Sequence, residues 1–334
     1  MRRAIVIGAL VLATSAVDAA DVCPVLRQQL SSNETSTRIA AVACNENMLW
    51  YRPFIAADGR IASITVMEGE SSLLADGTEA WRRVAGYWRE SGLLWQMGGF
   101  PGASECGYAS GDRNGSPSCR AFVIDNPWSA AFVSWIMLKA GVPGFRASAS
   151  HFDYVREAWL HPDTSPFQYL DPATTKPGVG DLLCYVRIPA RAYGYSGLIA
   201  AIDSHSGSLN MHCDIVVAVN PDNDGRVYSI GGNVQQGVTM RLLSVNRNGN
   251  FWALPQRSGV DPPCSPDAAA NCNFSRQDWS VLLKLKSPAA LAQLPRPEPL
   301  QPNAFPLAAP PPACCVNCVV GAIPPVPRCP IPQP

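Results

Sequence analysis

The chain is 334 residues long and 47% hydrophobic, enough to build a sizeable core in one large domain or two, which excludes a disordered protein over most of its length. Its 26 basic and 26 acidic residues cancel, so no global field draws it to nucleic acid or to an anionic membrane surface. Nucleic-acid binding is therefore set aside.

At the start, Met1-Arg2-Arg3 precedes the apolar run from Ala4 to Ala13, and Val17-Asp18-Ala19 offers a small residue for cleavage. That order is the pattern of a secretory signal peptide over residues 1–19. The run is too short to span a bilayer permanently, and Cys23, following Asp21-Val22, lacks the small-residue context of a lipoprotein cysteine. A periplasmic or secreted protein is expected, with no transmembrane segment after signal cleavage. All 12 cysteines lie beyond this leader, an even number suited to disulfides in an oxidising compartment. Cys106 with Cys119, and Cys264 with Cys272, would close short loops. With four histidines and no paired C-x-x-C motif, neither a zinc site nor any other cofactor is implied.

Residues 20–77 read as an N-terminal segment, with a short helix from Cys23 to Leu30 and strand-like stretches from Met48 to Ile55 and Ile61 to Met67. Next, Trp81, Val84, Ala85 and Trp88 recur at i, i+3, i+4 and i+7, the buried stripe of an amphipathic helix. Residues 98–120, rich in Gly, Ser, Pro and Asn, read as a loop. Asn126 and Pro127 then look like the cap and first position of a helix from Ser129 to Ala140, with Trp128, Ala131, Phe132, Trp135 and Leu138 on one face and Gly141 ending it. A further helix is expected near residues 148–159.

After Pro177-Gly178-Val179-Gly180-Asp181 the period becomes that of strands: Leu182 to Val186, His212 to Val219, and Val227 to Val234 after a turn at 220–225. Helices followed by a meander imply an α+β domain over residues 78–286, its N-terminal helices packed on a mostly antiparallel sheet. Strand alternation turns Cys213 away from the face of His212. Cys184 and Cys213 then read as a cross-strand disulfide or as two buried thiols. Residues 287–334 hold about half of the 31 prolines and no helical or strand period. They are expected to form a disordered Pro/Cys-rich tail, stapled by Cys314, Cys315, Cys318 and Cys329 locally or to a protein partner.

The string Pro127-Trp128-Ser129-Ala130-Ala131-Phe132, with Gly180-Asp181, His212 and Gly231-Gly232-Asn233, resembles the NlpC-type and CHAP-type papain-like cell-wall hydrolases. Still closer is a resemblance to an uncharacterised exported proteobacterial family whose motif also carries serine, and which Ser148-Ala149-Ser150-His151 and His212-Cys213-Asp214-Ile215-Val216 fit. The resemblance implies a papain-like fold and cleavage of amide or peptide bonds in peptidoglycan. Ser129 would stand where those hydrolases place a cysteine nucleophile, His212 where they place the base, and Asn233 where they place its orienting group. Trp128, His151, Asp214 and Tyr195 are the candidate substrate contacts around them. The chemistry suits a helix N-terminus, whose dipole favours a nucleophile giving up its proton to an imidazole. Serine has no pre-ionised form comparable to a thiolate, so it needs concerted proton removal and an oxyanion hole. The alternative is an inactive cleft kept for binding envelope peptides. The long connection at 188–211, with Arg191, Tyr193, Tyr195 and His205, reads either as a lid over the cleft or as a mobile surface loop.

Overall fold

The structure is a computed structural model that describes residues 21–108, 116–204, 207–262, 264–296 and 299–300. The principal helices are α1 (Thr35–Leu49), α2 (Ala80–Glu90), α3 (Ser116–Asp125), α4 (Ser129–Lys139), α5 (His151–Leu160) and α6 (Gly194–Asp203). The strands are β1 (Phe54–Ile55), β2 (Ile61–Ala62), β3 (Phe167–Leu170), β4 (Leu182–Val186), β5 (Met211–Val219), β6 (Arg226–Val234), β7 (Gly237–Ser244) and β8 (Asp278–Leu285). They form one eight-stranded sheet in the order β2-β1-β7-β6-β5-β4-β8-β3. Only the pairing of β1 with β7 is parallel. The chain is thus an α+β protein with a mostly antiparallel open sheet.

The central strands are apolar on both faces because both are covered. Cys184, Cys213, Ile215 and Val217 join a large core with α1, α2, α4 and α5, which holds Trp50, Trp81, Trp88, Trp128 and Trp135. Leu183, Tyr185, Val216, Val227, Phe251 and Trp279 form a second, smaller core on the other side. Residues 21–77, read from sequence as a separate segment, share this architecture: β1 and β2 extend the sheet, and Ile39 to Cys44 of α1 are buried against it. Residues 48 and 49 end α1 rather than beginning a strand.

Four disulfides brace the described chain: Cys23–Cys44, Cys106–Cys119, Cys184–Cys213 and Cys264–Cys272. The two short-loop pairs follow the sequence reading, and Cys184 faces Cys213 directly across β4 and β5. Four such bonds suit an exported protein. No single helix among the described residues is long and apolar enough to cross a membrane.

Three expectations for local structure change. The loop at 98–120 contains two helical stretches, Ala103–Tyr108 and the start of α3. The connection at 188–211 contains α6, anchored where the Tyr193 and Gly194 N–H groups donate to Asp278, at 2.7 and 2.9 Å. The tail begins later than residue 287, since Ser287 caps a short helix, Pro288–Leu291, with Leu291 buried, and the Gly144 N–H donates to the Pro295 carbonyl. The signal peptide, His205 and the cysteines at 314, 315, 318 and 329 lie outside the described residues.

Candidate active site

The cap of helix α4 lies two residues later than the Asn126-Pro127 pair suggests. Trp128 is the N-cap, with φ −100° and ψ 7°, and Ser129 is the first helical residue. The cap is held by packing rather than by a short polar side chain. The Trp128 indole is fully buried, stacked near Trp50 and Tyr87 with ring centroids 5.9 and 5.6 Å away, and its Nε1–H donates to Glu68 at 2.8 Å. Trp128 is therefore a buried wall behind Ser129, its indole turned to Glu68.

Asn233 works on the same wall. With its amide oriented by its hydrogen-bond partners, the nitrogen donates to Glu68 Oε2 and the oxygen accepts the Trp128 N–H, both at 3.1 Å. Its backbone is left-handed, φ 55°, within the irregular stretch where β6 and β7 lose register between Gly231 and Val234. Asn233 thus ties that bulge to the start of α4 instead of orienting His212. Burial raises the Glu68 carboxyl above its ordinary range, and the Trp128 hydrogen bond partly offsets this.

Ser129 meets a different histidine from the one its resemblance implies. Its Oγ lies 2.7 Å from His151 Nε2, and His151 Nδ1 is hydrogen-bonded to the Tyr154 hydroxyl, one helical turn along α5. Ser129 and His151 are 4% and 3% exposed. Burial, joined by the neighbouring His212, holds His151 well below the ordinary imidazole range, so the ring is neutral and a weaker base than a free imidazole. Burial raises Tyr154, so the phenol stays protonated. In one tautomer the Ser129 hydroxyl donates to a bare Nε2 while Nδ1–H donates to Tyr154. In the other Tyr154 donates to Nδ1, and Nε2–H points at Ser129.

His212 belongs to a second cluster whose ring centroid lies 5.2 Å from that of His151. Two residues apart on β5, His212 and Asp214 point to the same side, and His212 Nε2 lies 2.8 Å from Asp214 Oδ1. Arg241 on β7 donates through Nε to Asp214 Oδ2, also at 2.8 Å. Burial opposes a charge on Asp214, yet the Arg241 guanidinium and the His212 hydrogen bond outweigh it and hold the carboxyl well below its ordinary range. An ionised Asp214 only accepts, so His212 carries its proton on Nε2 and leaves Nδ1 bare.

The sheet makes room for this pair by parting. The pairing of β5 with β6 ends at Ile215 and Ile230, and Gly231 takes the place opposite the carboxylate. A Cβ on Gly231 would lie 2.1 Å from Asp214 Oδ1 and 2.8 Å from His212 Nε2. Only glycine allows so close an approach. A cleft of about 390 Å³ opens beside His212, bounded also by Tyr185, Asn233 and Arg241.

Of the residues singled out from sequence, the structure brings Ser129, His151, His212 and Asp214 together and keeps Trp128 and Asn233 immediately behind them. Tyr195 is elsewhere, packed on Tyr169 with centroids 5.5 Å apart. Arg191 lies over the Tyr193 ring. Sequence reasoning missed Tyr154, Glu68 and Arg241. Tyr154 stands at i+3 from a histidine on a helix, a spacing that was visible. Arg241 and Glu68 reach the site through tertiary contacts alone. Among the described residues, no group of three or more His, Cys, Asp or Glu side chains is arranged to hold a metal ion.

Stability should track the two histidines. Burial lowers His212 as well as His151, so the folded state binds fewer protons than the unfolded state below the unfolded pKa of ~6.5. Their contribution is complete above that pH and falls by about 1.4 kcal/mol per pH unit for each ring below it, down to the folded pKa. Urea unfolding midpoints should therefore drop steadily between ~pH 6.5 and 5, with a shallower slope in His151→Gln. The contribution of Asp214, whose folded pKa is depressed, is lost only below ~pH 4. A midpoint constant down to pH 5 would contradict this assignment.

No curated protein and no solved structure matches the chain. Residues 75–285, from just before α2 to the last residue of β8, match the model of a family described as an uncharacterized protein conserved in bacteria (DUF2272). That stretch is more than half of the chain and contains Ser129, His151, His212, Asp214 and Arg241, so the chain belongs to the DUF2272 family of bacterial proteins.

Proposed function

We propose that this chain is a periplasmic or secreted hydrolase of amide or peptide bonds in peptidoglycan or a related envelope polymer, built on a papain-like frame with serine as nucleophile. One observation carries the reading: the Oγ of a helix-first serine lies 2.7 Å from the Nε2 of a neutral histidine. In the reaction, Ser129 Oγ attacks the carbonyl carbon as its proton passes to His151 Nε2. The C–N bond then breaks, the proton leaves with the amine, and water releases the acyl group from Ser129. Tyr154 holds the His151 ring. His212, fixed by Asp214 and Arg241, has its bare Nδ1 available for the water of the second step. The helix dipole and the first-turn N–H groups of α4, which have no intrahelical acceptors, favour negative charge beside Ser129.

A second reading, an inactive cleft that binds envelope peptides, is favoured by the burial of Ser129 and His151. The two separate cleanly. Incubated with purified peptidoglycan, the mature protein should release soluble fragments and new amino groups in proportion to time and protein concentration. Retention on the polymer with no release would replace the hydrolase by the binding module.

A further inference from the structure

The cleft beside His212 has a charge pattern that the hydrolase reading does not explain. Four arginines line it, Arg187, Arg241, Arg257 and Arg276, and among the described residues no Asp or Glu does. Two of these charges are cancelled nearby: Arg241 by Asp214 at 2.8 Å and Arg276 by Asp261 at 2.7 Å. Arg257 is fixed by neutral acceptors, donating to the carbonyls of Ile188 at 2.6 Å and Val186 at 3.1 Å, and shares the field of Asp261 with Arg276. Arg187 is exposed, and no carboxylate of a described residue pairs with it. Its charge reaches His151, His212 and Tyr185. A chain with no net charge therefore gathers four guanidiniums at one wall of its candidate site, where two carboxylates, Asp214 and Asp261, serve three of them and Arg187 has none.

We infer that this cleft binds a carboxylate of the ligand, so that the polymer peptide recognised here carries a free acid close to the bond presented to Ser129. Guanidinium forks match a carboxylate bidentately, and their weak hydration makes such a contact cheaper to form than one with lysine. Tyr185 and His212 form the adjoining wall, and His151 lies one ring further on. The assignment rests on the hydrolase reading for the direction in which the peptide lies, and not for binding itself.

The test is calorimetry on the mature protein at low ionic strength, with acetyl-Ala-Ala bearing a free C-terminal carboxylate against the same dipeptide as its C-terminal amide. The acid should bind at least about 10-fold tighter, the scale of one charge-assisted contact. Arg187→Gln should remove most of that preference, ~1 M salt should weaken it, and inorganic phosphate should compete for the same oxyanion site. Equal binding of acid and amide, a preference untouched by Arg187→Gln, or no binding of either would overturn the inference. No turnover is involved. A protein that prefers the acid and never cleaves keeps this site and loses the hydrolase, and one that cleaves without the preference does the reverse.

Discussion

Ser129→Ala is expected to lower peptidoglycan turnover by at least about 10³-fold, because it removes the only atom that forms the acyl bond while leaving the rest of the cluster in place. Folding should suffer far less. The truncation leaves His151 Nε2 without its 2.7 Å partner, and one buried group left unpaired costs about 1–3 kcal/mol. Ser129→Cys tests the frame differently. Its thiol, with a reference pKa of ~8.5, ionises far more readily at the same helix terminus. It should retain measurable release, since a thiolate at this position can attack the same carbonyl carbon. A binding module would show equal affinity for the polymer in all three proteins and release by none.

Asp214→Asn should have the largest effect on stability, about 3–5 kcal/mol in urea unfolding. Asp214 and Arg241 are 1% and 2% exposed, and the carboxylate is the partner of both Arg241 Nε and His212 Nε2. The asparagine variant keeps the cation buried and takes away the anion that compensates it. The remaining Arg241 bonds, to the Phe274 carbonyl and the Ser275 hydroxyl, are neutral and do not replace that charge. The double variant Asp214→Leu/Arg241→Met should recover much of the loss, because a well-packed apolar pair of similar volume is often no less stable than a buried ion pair. If the single variant unfolds at the wild-type urea concentration, the carboxylate is not the centre of this network.

Much of the scaffold was legible in the sequence, and the parts that were not have physical reasons. Trp81, Val84, Ala85 and Trp88 announced α2 because one face of that helix is buried and the other wet. The apolar runs of β4 and β5 announced strands covered on both sides. Helix α1 gave no such signal: Ile39 to Cys44 are buried all round the helix, so no polar face marks a period. Helix α6 was hidden by its Gly, Ser and Tyr content, and its anchor, Asp278, lies far along the chain. Strands β7 and β8 were overlooked although both alternate or run apolar, and in β7 Arg241 interrupts the pattern because it serves a buried carboxylate.

The candidate site divides in the same way. His212 and Asp214 sit two apart on a strand, so a shared face followed from alternation, and Ser129 at the start of a helix followed from the motif. The pairing of Ser129 with His151 depends on how α4 meets α5, which no local pattern encodes. Asn233 was given to His212 by the resemblance alone, which puts an orienting group on the strand after the base. The loss of β6–β7 register between Gly231 and Val234 instead goes with an amide turned to Trp128 and Glu68.

The most direct test of the central claim, that Ser129 is a base-activated nucleophile, is intact-mass analysis after exposure to a fluorophosphonate. The hydrolase account predicts a single covalent adduct that maps to Ser129, is absent in Ser129→Ala, and forms much more slowly in His151→Gln. No adduct on the folded wild-type protein, or one that persists in Ser129→Ala, would contradict it.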